Sequence, residues 1–262
     1  MTARKKKMLA SHQRSWVWGR RLVEEILQAG RWPVLELYLE AGMPPAIRDP
    51  LIQRAEELGY VCHMVERQRL AELCPRADHQ GCLARMGEYP YASLNDALKS
   101  RPGEAPLLCA MDGVQDAFNF GAIVRSAEVF GLHGMLIGEQ GQCGVTSQAA
   151  RSSAGAVNRF PIVRGESLPS MLRELRGQEI QIIGAAPEAA VSIRTLDLRR
   201  PAVLVLGGES DGISIATREE CATLAAIPQQ GRIGSLNVAA AAAVLFYEAM
   251  RQRTADASSV KQ

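Results

Sequence analysis

The run Asp116-Ala117-Phe118-Asn119-Phe120-Gly121-Ala122-Ile123-Val124-Arg125-Ser126-Ala127 follows an apolar pentapeptide, Leu107-Leu108-Cys109-Ala110-Met111. The pentapeptide reads as a buried strand, and the later run takes up a helical period. Asn119 and Arg125 lie on the strand-to-helix turn and the first helical turns. An amide and a fixed cation at a helix N-terminus suit an anionic ligand such as a nucleic-acid phosphate. The bland alternative for Arg125 is a solvated surface arginine.

Two later segments extend the pattern. Val203-Leu204-Val205-Leu206 reads as a buried strand and runs into the loop Gly207-Gly208-Glu209-Ser210-Asp211-Gly212. Ile227-Pro228 and then Ser235-Leu236-Asn237-Val238 open an Ala-rich stretch. The glycine loop lacks the G-x-G-x-x-G order of a dinucleotide fold and follows a late strand, so an ordinary Rossmann site is not expected. In this order, D-x-x-N-x-G-x-x-x-R, G-x-E-x-x-G and I-P…S-L-N-V, the chain resembles the SpoU family of RNA ribose 2′-O-methyltransferases within the SPOUT superfamily, nearest its rRNA guanosine-methylating members. Three ordered motifs over half a chain are far more specific than one glycine pattern.

Composition sets bounds. The chain has 262 residues, enough for two small domains, and 47% hydrophobic residues, enough for a proper core. Its formal net charge of +2 assigns any RNA binding to local basic patches, not a global field. There is no apolar run of transmembrane length and no signal-peptide core behind Arg4-Lys5-Lys6-Lys7, so a cytoplasmic protein is expected. The six cysteines form no C-x-x-C pair, and Cys62, His63, Cys74, His79 and Cys82 match no zinc spacing. Reduced, mostly buried thiols and no metal are expected.

The overall expectation is an α/β chain of two domains. After a basic tail, 16–27 has helical periodicity, 34–39, 60–65 and 81–85 read as strands, and 45–58 and 68–74 as helices. This predicts a three-layer N-terminal domain over 1–86. Its closing segment Asp78-His79-Gln80-Gly81 resembles the end of the ribosomal-protein-L30-like substrate domain of the family's rRNA members. Residues 87–104 read as a linker with a short helix at 93–100. Strands at 107–111, 134–137, 160–163, 180–184, 202–206 and 223–227, alternating with helices, predict a mostly parallel sheet over 105–253. Residues 254–262 read as a disordered tail. The trefoil knot of SPOUT proteins, an exception to the rule against threaded chains, comes with the resemblance alone.

The resemblance implies methyl transfer from S-adenosylmethionine to a ribose 2′-hydroxyl, with large-subunit (23S) rRNA as the expected target. It places Asn119, Arg125, Glu209, Ser235 and Asn237 in the catalytic site and Gly207, Gly212, Ile227, Pro228 and Leu236 around the donor. The resemblance gives Arg125 the key catalytic role, sometimes as general base. A guanidinium is a poor base at neutral pH, so the role favoured on physical grounds is holding the acceptor phosphate and stabilising developing negative charge, while a base would need strong help from burial and neighbours. Glu209 either fixes the Arg125 fork or bonds loop amides. Ser235 or Asn237 can also cap the last helix. RNA contacts are expected from Arg20, Arg21, Arg125 and Arg151, the last in a loop equally able to be solvated. Ala117 stands where the family usually has proline, and Ala239 where serine is frequent. The last helix is apolar nearly all round, which together with the resemblance predicts a homodimer. The competing functions are a tRNA ribose methyltransferase and a non-catalytic RNA-binding or ribosome-assembly protein.

Overall fold

The computed structural model describes residues 16–75, 78–231 and 234–258. The basic residues Arg4 to Lys7 and Arg14 lie outside them. The chain forms two compact units, one of Met1–Pro90 with Val145–Arg159 and one of Tyr91–Gly144 with Phe160–Gln262.

The first unit holds β1 (Trp16–Trp18), α1 (Arg20–Ala29), β2 (Val34–Glu40), α2 (Pro45–Glu57), β3 (Val61–Val65), α3 (Arg67–Leu73) and β4 (Cys82–Met86). Its sheet order is β1-β4-β2-β3. Strand alternation gives it two faces. Trp16, Trp18 and Leu83 pack with Leu70 of α3 on one of them. On the other side of the sheet, Val17, Leu37 and Leu39 are fully buried, as are Val23 and Ile26 of α1.

The start of the chain corrects the expected helix over 16–27. Trp16–Trp18 is a strand, antiparallel to β4, and all three residues are buried. Aromatic and β-branched side chains fit a pleated surface, and Gly19 at φ 99 lets the chain turn from strand into helix.

The second unit contains α4 (Leu94–Leu98), β5 (Leu107–Asp112), α5 (Ala117–Val129), β6 (Gly134–Gly138), β7 (Ile162–Gly165), α7 (Leu168–Gly177), β8 (Gln181–Ala185), β9 (Val191–Ser192), β10 (Ala202–Gly207), α8 (Ile215–Glu220), β11 (Thr223–Ala226) and α9 (Val238–Ser258). The intervening α6 (Ser147–Ser152) belongs to the first unit. The seven strands run β7-β6-β5-β10-β8-β11-β9, all parallel. A parallel sheet is covered on both faces, which is why β5 and β10 are continuous apolar runs.

Three expected boundaries shift. Residues 91–104 are not a free linker: the Ala92 amide donates to Ile162 O at 2.8 Å, and Ala97 of α4 is buried in the core with Leu108 and Leu136. Residues 145–159, expected inside the methyltransferase domain, cluster with the first unit. There Arg159 pairs with Glu25 at 2.8 Å and Tyr89 OH donates to Val157 O at 2.6 Å. Third, α9 continues to Ser258, into the expected tail. No glycine or proline stops it, and the Thr254 hydroxyl donates back to Met250 O at 2.9 Å. Residues 259–262 lie outside the described ones. Among the described residues no helix is long and apolar enough to cross a membrane.

Candidate active site

The carboxyl ends of β5, β8, β10 and β11 meet loops that enclose two hollows, both within the second unit. Ligands of open parallel sheets bind at such ends. Asp112, the last residue of β5, accepts the Ser214 amide through Oδ2 at 2.7 Å, tying the loop after β10 to the β5 end. Gly208 and Gly212 close that loop with reciprocal main-chain bonds of 3.0 and 3.1 Å.

The larger hollow, a cleft of about 650 Å³, runs between this loop, the turn after β8 and the start of α9. Gly207, Gly212, Ile227 and Leu236 line it, as do Glu209, Ser235 and Asn237. Pro228 does not line it. Composition and motif reading missed Ala185–Glu188, Ile213, Arg218 and Gln229, which also form its walls. The end of β8 was legible as a strand end, but nothing in the sequence alone places β8 beside β10. The smaller hollow, about 430 Å³, lies on the other side of the same loop and is lined by Asp112, Gln115, Asp116, Asn119 and Glu209.

Glu209 stands in the wall common to both hollows. Its Oε1 accepts from the side-chain amide of Asn119 and from Asn237 Nδ2, the latter at 3.2 Å. Asn237 Nδ2 also reaches Asn119 Oδ1 at 3.1 Å. The three side chains close a ring, each from a different motif. Asp116 holds Asn119 in place by capping α5, its Oδ1 accepting the Asn119 amide at 2.8 Å. Asn237 has two tasks: Oδ1 accepts the Ala239 and Ala240 amides at 3.0 and 3.3 Å, while Nδ2 serves the ring. The cap and the site are therefore the same residue. Ser235 lines the cleft and is exposed.

Arg125 is not in this ring, so the alternative in which Glu209 fixes its fork is not what the structure shows. Neither does Glu209 bond loop amides among the described residues; its partners there are the side chains of Asn119 and Asn237. Six residues of helix turn Arg125 about 120° away from Asn119. It is exposed, and its side chain makes no hydrogen bond or ion pair with any described residue. Its neighbours on that face of α5, at i−7 and i+4, are Phe118 and Val129, 61% and 65% exposed.

In the first unit, Arg20 pairs with Glu24 at 3.6 Å and Arg21 is exposed. Arg151 lies on α6, not in a loop; it is exposed, pairs with Asp78 and lies over the Trp18 ring, 4.8 Å from its centroid. All six cysteines are free thiols, and burial pushes Cys82 up to about 12. Among the described residues no group of His, Cys, Asp and Glu is disposed to hold a metal ion.

The model of the SpoU rRNA methylase family matches residues 106–247, more than half of the chain. The chain belongs to this family. A second model, for RNA 2′-O-ribose methyltransferase substrate binding, matches residues 16–92. With both parts present, the SpoU chain is an RNA ribose 2′-O-methyltransferase. It is 36% identical to the 23S rRNA (guanosine-2′-O-)-methyltransferase RlmB of Xylella fastidiosa, over 91% of this chain and 97% of that one. Among solved structures it resembles the SpoU methyltransferase AviRb of Streptomyces viridochromogenes in complex with AdoMet, at TM-score 0.77 and 26% identity, covering 92% of this chain and 90% of that one. A tRNA-modifying TrmH/SpoU enzyme of A. aeolicus matches only 63% of this chain, with 82% of its own length covered, at TM-score 0.54 and 27% identity.

Proposed function

We propose that this SpoU enzyme transfers the methyl group of S-adenosylmethionine to the 2′-hydroxyl of a guanosine in 23S rRNA. The observation that carries the reading is the Asn119–Glu209–Asn237 ring standing between two hollows, one of them sized for the donor. The cleft fits that donor: Ile213, Leu224, Ile227 and Leu236 offer apolar walls to an adenosine, loop main chain offers donors and acceptors to its edges, and Glu209 and Asp211 suit a sulfonium cation. Bound there, S-adenosylmethionine supplies an electrophilic methyl group that carries its own leaving group.

The protein's part is alignment and charge. The two amides fix Glu209 through Oε1, which leaves Oε2 to accept the proton of the acceptor hydroxyl. Asn119 and Glu209 both face the smaller hollow, where the ribose is placed. Arg125 holds the acceptor phosphate and stabilises the developing oxyanion. From its position on α5 it does this in the site of a second copy. Phe118, Arg125 and Val129 of α5 and Val244 and Tyr247 of α9 form an exposed, largely apolar face that a two-fold dimer would cover. The threaded knot belongs to the same reading and is supported by the packing of α9 against both α5 and β10.

The N-terminal unit, with Arg20 and Arg21, is assigned to RNA selection, in a cytoplasmic protein. A ribosomal target is favoured over tRNA because the rRNA enzyme matches over 91% of this chain and the tRNA-modifying enzyme over 63% of it. The test is methyl transfer from labelled donor to 23S rRNA taken from a strain lacking the enzyme, followed by mapping of ribose methylation. One guanosine should be labelled, and Arg125→Ala should reduce the rate at least about a hundredfold. Labelling of tRNA alone, or an unaffected Arg125→Ala enzyme, overturns the assignment.

A further inference from the structure

The donor cleft contains an ion pair that the reaction does not use. Arg218 on α8 and Glu188 in the turn after β8 both line it, joined Arg218 Nη1 to Glu188 Oε1 at 3.0 Å. Their side chains remain 46% and 60% exposed. Arg218 is the one cationic side chain lining this cleft among the described residues; the other ionisable groups there, Glu188, Glu209 and Asp211, are acidic. Glu209 is held by Asn119 and Asn237, and Asp211 accepts from Ser210 Oγ at 2.8 Å.

A ligand ending in an α-ammonium and an α-carboxylate brings one charge of each sign into this cleft. The carboxylate needs a cation, and an acidic wall without one would repel it. We propose that Arg218 and Glu188 form the subsite for the amino-acid end of the methyl donor, Arg218 receiving its carboxylate and Glu188 its ammonium. The inference rests on the donor placement above. In the ligand-free protein the two side chains satisfy each other, so neither is left unpaired. The bound zwitterion replaces that one pair with two. A guanidinium suits the carboxylate because its fork matches the two oxygens. The pair therefore acts in donor recognition and is remote from the Glu209 ring in function, so its effect belongs in affinity and not in the chemical step.

Calorimetric titration of the full-length protein separates these statements, with S-adenosylhomocysteine and 5′-methylthioadenosine as probes. The second probe keeps the adenosine and the sulfur and lacks the amino-acid end. Arg218→Ala should weaken S-adenosylhomocysteine about tenfold or more, as for loss of a charge-assisted contact, and leave methylthioadenosine within about twofold. Arg218→Lys should recover part of the loss, and Glu188→Gln should weaken S-adenosylhomocysteine by a smaller factor. Equal loss for both probes, or no loss for either, overturns the subsite; tighter binding by Glu188→Gln removes Glu188 from it. If the unaltered protein binds methylthioadenosine and S-adenosylhomocysteine equally, the subsite is wrong while the donor cleft stands. If it binds neither, the donor placement itself is wrong and the subsite falls with it.

Discussion

Asn237 shows how one side chain joins stability to chemistry. Its side-chain oxygen caps the N-terminus of α9 and its side-chain nitrogen holds Glu209. Asn237→Asp keeps the cap, since a carboxylate serves the α9 amides as well or better. It removes the donor and sets a second carboxylate beside Glu209. Turnover should fall about a hundredfold, while the melting temperature stays within about 2 °C of the parent's, read by scanning calorimetry beside methyl transfer. A variant that loses stability and activity together would show that the cap is its whole contribution. Gly207 teaches the opposite lesson. A glycine placed beside a donor suggests room for close ligand approach. The structure gives it to the protein's own loop, because a Cβ there would overlap the Gly212 carbonyl and the Ile213 amide. A Gly207→Val protein is therefore expected to lose its loop along with its ligand, and it cannot isolate donor binding. Gly208 is constrained in the same way, with Gly113 O 2.6 Å from where its Cβ would sit.

At the scale of elements, the buried parallel strands were the most legible. β5 and β10 are unbroken apolar runs, and burial on both faces leaves little else for them to be. The short strand β1 was misread because Trp16-Val17-Trp18 continues smoothly into a helical pattern, and only tertiary pairing with β4 separates the two. The two-residue β9 was missed for want of length. The ring of Asn119, Glu209 and Asn237 was legible as three motif residues but not as three partners, since its contacts span 28 to 118 positions along the chain. Arg253 was overlooked entirely. It lies at the far end of α9 from Asn237 and donates to the carbonyls of Ala105, Pro106, Leu198 and Arg200. Burial lowers its pKa, and the main-chain carbonyls replace the water that the guanidinium has lost. It fastens the last helix to the segments that enter β5 and β10. Arg253→Ala leaves several carbonyls without a partner, at about 3 kcal/mol, and should lower the melting temperature by roughly 5–10 °C. Thermal unfolding of the full chain checks this; an unchanged midpoint would mean that water replaces the guanidinium at no loss.

For the whole molecule, the question is where Arg125 works. Within one chain it points away from Glu209 and lies on an apolar face of Phe118, Val129, Val244 and Tyr247, each more than 40% exposed. A family arginine stranded on such a face becomes useful if the face is an interface and the arginine enters the neighbour's site. That arrangement has a quantitative consequence. Take Arg125→Ala and Glu209→Gln proteins, each inactive alone. In a dimer that shares its sites, a mixed pair concentrates both lesions in one site and leaves the other intact. After random exchange of subunits half of the dimers are mixed, so about a quarter of all sites are whole and about a quarter of the parent activity should return. If Arg125 served its own chain, every mixed-dimer site would carry one lesion and nothing would return. Light scattering supplies the second arm: the parent should have the mass of two 28.4 kDa chains, and Val244→Glu, which buries a charge in the proposed interface, should shift it toward one chain with loss of activity. A fully active protein with the mass of one chain would place Arg125 in its own site and end the shared-site reading.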